Sequence, residues 1–203
     1  MTSSFLRRFL ISPFLSVSMI FGPCMTLNSG AMANDSFPAS VIGVHHLGSN
    51  YSIYRFHINK SIGDSVGEGG GGGGMVCCMT LPRRWQPSLS VDVRWAVDRI
   101  IRSNRLGVSD TAEAEGTYRA QVPVEQYTEP GDFYVHFFPN GRVRIVVTNI
   151  GSDSKQHPIR PTDKQAIRIA TAGKRVETLF TAKEAAERQK AADRDRQKYG
   201  DWR

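Results

Sequence analysis

The chain has 203 residues, of which 40 % are apolar, enough to bury a core and too many for wholesale disorder. No long apolar run follows the N-terminal one, which excludes a protein that crosses a membrane several times with helices. The 26 Lys and Arg residues are interleaved with 19 Asp and Glu, and no nucleic-acid-binding module stands behind them, so nucleic acid is not an expected partner.

Residues 1–33 have the plan of a secretory signal. Arg7 and Arg8 form a positive start, Phe9 to Phe21 a short apolar stretch, and Ala31-Met32-Ala33 the small-x-small pattern that signal peptidase needs. The mature chain is therefore expected to begin at Asn34 in the periplasm, with a formal charge of +5 over its 170 residues. The rival exit is lipidation at Cys24, where Phe21-Gly22-Pro23-Cys24 fits a lipobox poorly. Only in that case is a membrane a partner.

In the mature chain, Val41-Ile42-Gly43-Val44 and the alternating run Tyr51 to Ile58 predict two strands, with Gly48-Ser49-Asn50 as the turn between them. The glycine run Gly69 to Gly74 leads into Met75-Val76-Cys77-Cys78-Met79-Thr80-Leu81. No Gly-Lys-Ser/Thr follows it, so a nucleotide-phosphate loop is excluded. The glycines instead allow a sharp turn or a close approach of two backbones. Val91, Val93, Trp95 and Val97 then fall on one face of a strand, and Asp92, Arg94, Ala96 and Asp98 on the other.

Phe133 to Phe138, Pro139-Asn140-Gly141 and Arg142 to Thr148 form the clearest hairpin, because Asn-Gly tolerates positive φ at both turn positions. Residues 99–118 and 162–180 give no single pattern. Thr181-Ala182-Lys183-Glu184 is a capping box that opens a helix at about 181–199. Apart from the terminal Tyr199 its apolar residues are all alanines, which suits a solvated projecting tail or a helix that docks on a partner. The expected fold is mainly β. An antiparallel β-sandwich-like domain occupies residues 34–160, and an extension, residues 161–203, carries the exposed helix.

The candidates for chemistry are few. Adjacent strand residues point to opposite faces, so joining Cys77 to Cys78 requires a distorted turn. Three dispositions stay open: a vicinal disulfide, two buried free thiols, and an intermolecular or redox role. His45, His46, His57, His136 and His157 show no metal spacing, and no Cys-x₂-Cys accompanies them. No Gly-x-Ser-x-Gly elbow is present. No metal, cofactor or enzymatic activity is therefore expected. In Leu81-Pro82-Arg83-Arg84-Trp85-Gln86-Pro87 two prolines bracket a basic-aromatic loop. Trp85 there is either packed beneath the loop or presented with Arg83 and Arg84 as a partner contact.

The order Asn50-Tyr51-Ser52, Gly69 to Gly74, Cys77-Cys78, Leu81-Pro82, Trp85-Gln86-Pro87 and Val91-Asp92-Val93-Arg94-Trp95 resembles a family of small exported bacterial proteins. These carry a domain of unknown function, and many are lipoproteins. Tyr127, Gly131, Phe133-Tyr134-Val135-His136-Phe137 and Pro139 to Val147 are similar to the family's second half, so the likeness runs over about residues 41–150. It implies a β-rich periplasmic domain with no catalytic residues to carry over. Genes of this kind often lie beside lipase-type effectors of the type VI secretion system. The resemblance thus implies an immunity protein that blocks such an effector by protein–protein contact. The other reading is a redox-active or envelope-maintenance protein that uses Cys77 and Cys78.

Overall fold

A computed structural model describes residues 35–60, 62–70, 76–160 and 163–200. The expected signal sequence, Cys24 and Gly71 to Met75 lie outside them. Ten strands run in chain order: β1 (Ser36–His45), β2 (Tyr51–Ile58), β3 (Ile62–Val66), β4 (Val76–Pro82), β5 (Ser90–Ile101), β6 (Thr111–Pro123), β7 (Asp132–Phe138), β8 (Arg142–Thr148), β9 (Thr171–Ala172) and β10 (Lys174–Val176). Helix α1 (Lys164–Ile169) precedes β9, and helix α2 (Ala182–Tyr199) ends the described chain.

The strands form two five-stranded sheets, ordered β4-β1-β7-β8-β9 and β10-β6-β5-β2-β3. All pairings between strands are antiparallel except β1 with β7, which run parallel. This is a mainly β, sandwich-like fold with a C-terminal helix, as the residue pattern predicts. The long gap between β1 and β7 in the chain makes their parallel contact possible, since parallel neighbours need a long crossover.

The core lies between the sheets. Phe37, Val41, Phe133, Val135, Phe137, Val143 and Ile145 from one sheet meet Ile53, Phe56, Val93, Trp95 and Val122 from the other. Phe137 sits 5.4 Å from Phe56 and 5.7 Å from Trp95, ring centre to ring centre. The alternation in β5 holds on this face, where Val91, Val93, Trp95 and Val97 are all buried. β7 is buried on both faces, because α1 and Ile159 cover Tyr134, Phe138 and Val146 with a second apolar cluster.

Two turns depend on backbone freedom. Asn140 and Gly141 both take positive φ, 62° and 63°, as the Asn-Gly signal requires. An added Cβ at Gly141 would collide with the Tyr118 ring. At the start of the glycine run, Gly69 and Gly70 have φ of 81° and 79°. Gly70 lies against the His45 carbonyl, with no room for a side chain. Gly70 serves a close backbone approach.

The two unresolved stretches of sequence have clear structures. Residues 99–118 continue β5 and β6 as a long hairpin, whose loop spans residues 102–110. Residues 163–180 contain α1 and two short strands, β9 and β10, which extend opposite sheets. Among the described residues no helix is long and apolar enough to cross a membrane.

Candidate functional site

The outer face of the second sheet carries a charged centre built on Arg94. Its strand alternation points it outward, yet only 1 % of it is exposed, because the chain after β10 folds back over it. Its Nε donates to Asp92 at 2.8 Å, and its Nη1 donates to the Leu179 carbonyl at 2.8 Å. Both Nη atoms reach the Glu184 carboxylate, at 2.9 and 3.0 Å. A guanidinium this enclosed is tolerated only when its donors are paired, and here every one of its nitrogens has an acceptor. Glu184 holds Arg94 still more firmly in its charged form, and Asp92 adds to the effect.

Glu184 has three tasks. It closes the α2 capping box, accepting from the Thr181 backbone N–H at 3.0 Å while Thr181 Oγ1 accepts from the Glu184 N–H. It also pairs with Arg94 and with Lys60, the latter at 2.9 Å. These contacts, led by the Arg94 hydrogen bonds, hold its carboxyl far below the ordinary carboxylate range. Two guanidinium groups lie over the Phe180 ring, Arg94 4.9 Å and Arg188 4.3 Å from its centre. The edge of His57 meets the same ring at 4.8 Å. His57 is buried with its Nδ1 unpartnered among the described residues, and burial together with Arg188, Arg55 and Arg94 pushes it down to about 4.

Beside this centre the strands set a row of basic residues. His57 stands opposite Arg94 in the β2–β5 pair, Arg94 opposite Arg119 in β5–β6, and Arg119 opposite Lys174 in β6–β10. Asp92 bridges two of them, accepting from Arg119 Nε at 2.7 Å as well as from Arg94. A cleft of about 810 Å³ opens over β6, β10 and the segment that leads to α2.

A file of three histidines lies on the outer face of the other sheet. His157 Nδ1 donates to the Ile150 carbonyl at 2.7 Å. Its Nε2 therefore accepts from His136 Nε2 at 3.0 Å, and His136 Nδ1 accepts from His46 Nε2 at 2.9 Å. The rings hand hydrogen bonds along a line and do not converge on one point. Burial drives His136 well below its ordinary value and lowers His46 to about 4. The file ends on a backbone carbonyl, so it ties β7 to the 150–157 loop. Among the described residues no cluster of three His, Cys, Asp or Glu side chains is placed to hold a metal ion.

The β5–β6 hairpin projects a different kind of surface. Leu106 at its tip is fully exposed, Val108 is 54 % exposed, and Ile101 stands at the base of the loop with 36 % exposed. Arg102 braces the tip through ion pairs with Asp110 and Glu68.

The residues singled out from the sequence have the following places. Cys77 and Cys78 are joined in a vicinal disulfide across a cis peptide bond, and both are exposed on β4. Trp85 is half-buried against the core and donates its indole N–H to the Val124 carbonyl at 2.8 Å. It is packed beneath its loop, with Arg83 and Arg84 exposed beside it. The Arg94 centre and the histidine file have no local motif. Each is assembled from distant strands, and the one local signal was the capping box, whose Glu184 supplies Arg94 with its main partner.

Residues 48–145 match a family described as protein of unknown function, DUF3304. No curated protein and no solved structure matches the chain. The matched stretch contains Arg94, Arg119, His57, His136, the Cys77–Cys78 pair and the hairpin tip. Glu184, Phe180, Lys174 and His157 lie beyond it, so the charged centre joins the matched stretch to the C-terminal extension.

Proposed function

We propose that this protein is a periplasmic immunity protein, which neutralises a lipase-type effector of a type VI secretion system by covering the entrance to its active site. The observation that carries this reading is the hairpin tip. Leu106 and Val108 are held in water at the end of a long, braced β-ribbon, where burial by a partner would return apolar area to a dry environment. A lipase accepts acyl chains, so its substrate crevice is apolar and narrow. A β-ribbon ending in Leu-Gly-Val, with Arg102 and Arg105 at its rim, has the shape and chemistry to plug such a crevice. The resemblance to exported proteins encoded beside such effectors favours a lipase as the partner.

The test pairs the protein with a lipase-type effector, sought first among the genes that flank its own. Leu106→Asp/Val108→Asp is expected to keep its melting temperature and to bind the effector at least about tenfold more weakly, as loss of a hot spot does. Protection of co-expressing cells should fall in step. Undiminished capture and protection by this variant would remove the hairpin from the interface.

The exposed Cys77–Cys78 disulfide favours a second reading, a redox or envelope-maintenance role. Turnover of a model disulfide by the wild type, absent from Cys77→Ser/Cys78→Ser, would favour it over the first.

A further inference from the structure

We infer that the cleft over β6 and β10 is a binding site for a phosphate-bearing ligand. Arg119 and Lys174 stand directly opposite each other, an arrangement that places their Cβ atoms about 5 Å apart and repels when both are cations. Arg94 stands on the other side of Arg119, but its charge is already spent on Asp92 and Glu184. Among the described residues Arg119 spends only its Nε, on Asp92. Lys174 has no ion pair among the described residues. The sheet therefore brings together two cations with unused donors and supplies no carboxylate between them.

Both residues line the cleft, together with Arg175 and Thr117. Two carboxylates line it as well, but Glu184 is already engaged by Arg94 and Lys60, which leaves Glu177. A tetrahedral phosphoryl anion between the Arg119 fork and the Lys174 ammonium would relieve their repulsion and accept charge-assisted hydrogen bonds from both. The Thr117 hydroxyl is a further donor. At about 810 Å³ the cleft is far larger than a bare phosphate and lies in the range of small-molecule sites. Its occupant is thus a phosphoryl group attached to a polar body, either a soluble phosphomonoester or the headgroup of an anionic lipid. This site is separate from the hairpin tip, and Leu106→Asp/Val108→Asp is expected to leave it intact.

The experiment titrates the protein with glucose 6-phosphate by calorimetry, with glucose as the uncharged control. In parallel it is sedimented with vesicles of phosphatidylglycerol or of phosphatidylcholine. Saturable binding of the sugar phosphate but not of glucose is expected, or selective sedimentation with phosphatidylglycerol, and the arm that responds names the source of the phosphate. Arg119→Ala and Lys174→Ala should each weaken that binding about tenfold. Without ligand, Lys174→Ala should melt no lower than the wild type, since it removes a like-charge neighbour. No saturable binding in either arm, or binding that both variants retain in full, would overturn the proposal.

Discussion

Trp95 shows how one residue ties the two sheets and the C-terminal extension together. It is fully buried, stacks on Tyr118 at 5.5 Å, and touches Phe137 of the opposite sheet. Gly173, at the turn between β9 and β10, lies against its ring with no room for a Cβ. Trp95→Ala should therefore cost about 3–5 kcal/mol, through lost burial and a cavity that the flanking strands cannot close. Chemical denaturation measures it, and a loss below about 1 kcal/mol would mean that the site collapses freely. This position was legible in the sequence, because a period of two needs only near neighbours to be read. Arg94, one place earlier, was legible only as an outward-facing residue. The covering group comes from residues 179–184, some 85 positions away, and no local pattern carries such a contact.

At the scale of elements, the α2 helix behaves differently from its composition. None of its residues is buried, and its apolar content is alanine with a terminal tyrosine, so a solvated tail is the natural reading of the sequence. Its last turns fit that reading. Its first two turns do not, because Glu184 docks on Arg94 and Lys60 and Arg188 packs on Phe180. The capping box marked where the helix starts, and the same glutamate also decides where the helix is held. Glu184→Gln separates the two roles, since glutamine can still cap but carries no charge for Arg94. The helix should keep its far-UV signal, while tryptic cleavage at Lys183 and Arg188 accelerates and the sandwich stays resistant. Cleavage rates equal to those of the wild type would show that the ion pairs do not hold the strap. The hairpin tip follows a similar logic. Ser103-Asn104 and Gly107 are turn-forming residue types, but the stretch around them has no single pattern, and the register of the twelve residue pairs behind it is set by the whole sheet.

Across the whole molecule, the mainly β character followed from alternation and turn signals, whereas the sheet order did not. β1 pairs with β4 and β7, and β9 and β10 leave one short segment to join opposite sheets; such choices depend on packing between distant segments. The same packing sets the response to acid. His46 and His57, each lowered to about 4 from an ordinary 6.5, and His136, lowered further still, are neutral in the folded chain. Burial is the leading cause at all three, and the guanidinium groups near His57 and His136 add to it. Below pH 6.5 the unfolded chain binds protons that the folded chain refuses. Stability should thus be level above about pH 7 and fall as pH drops toward 4, by up to about 1.4 kcal/mol per pH unit for each histidine. Glu184 acts in the same direction at still lower pH, because its folded carboxylate is stabilised relative to the unfolded one. His57→Leu isolates one contribution. The variant removes an imidazole whose buried Nδ1 has no partner and keeps an apolar contact for Phe180, so at pH 7 it should be within about 1 kcal/mol of the wild type or more stable. Between pH 6.5 and 4 its denaturation midpoint should fall less steeply than that of the wild type, and identical slopes would mean that His57 titrates normally in the folded protein.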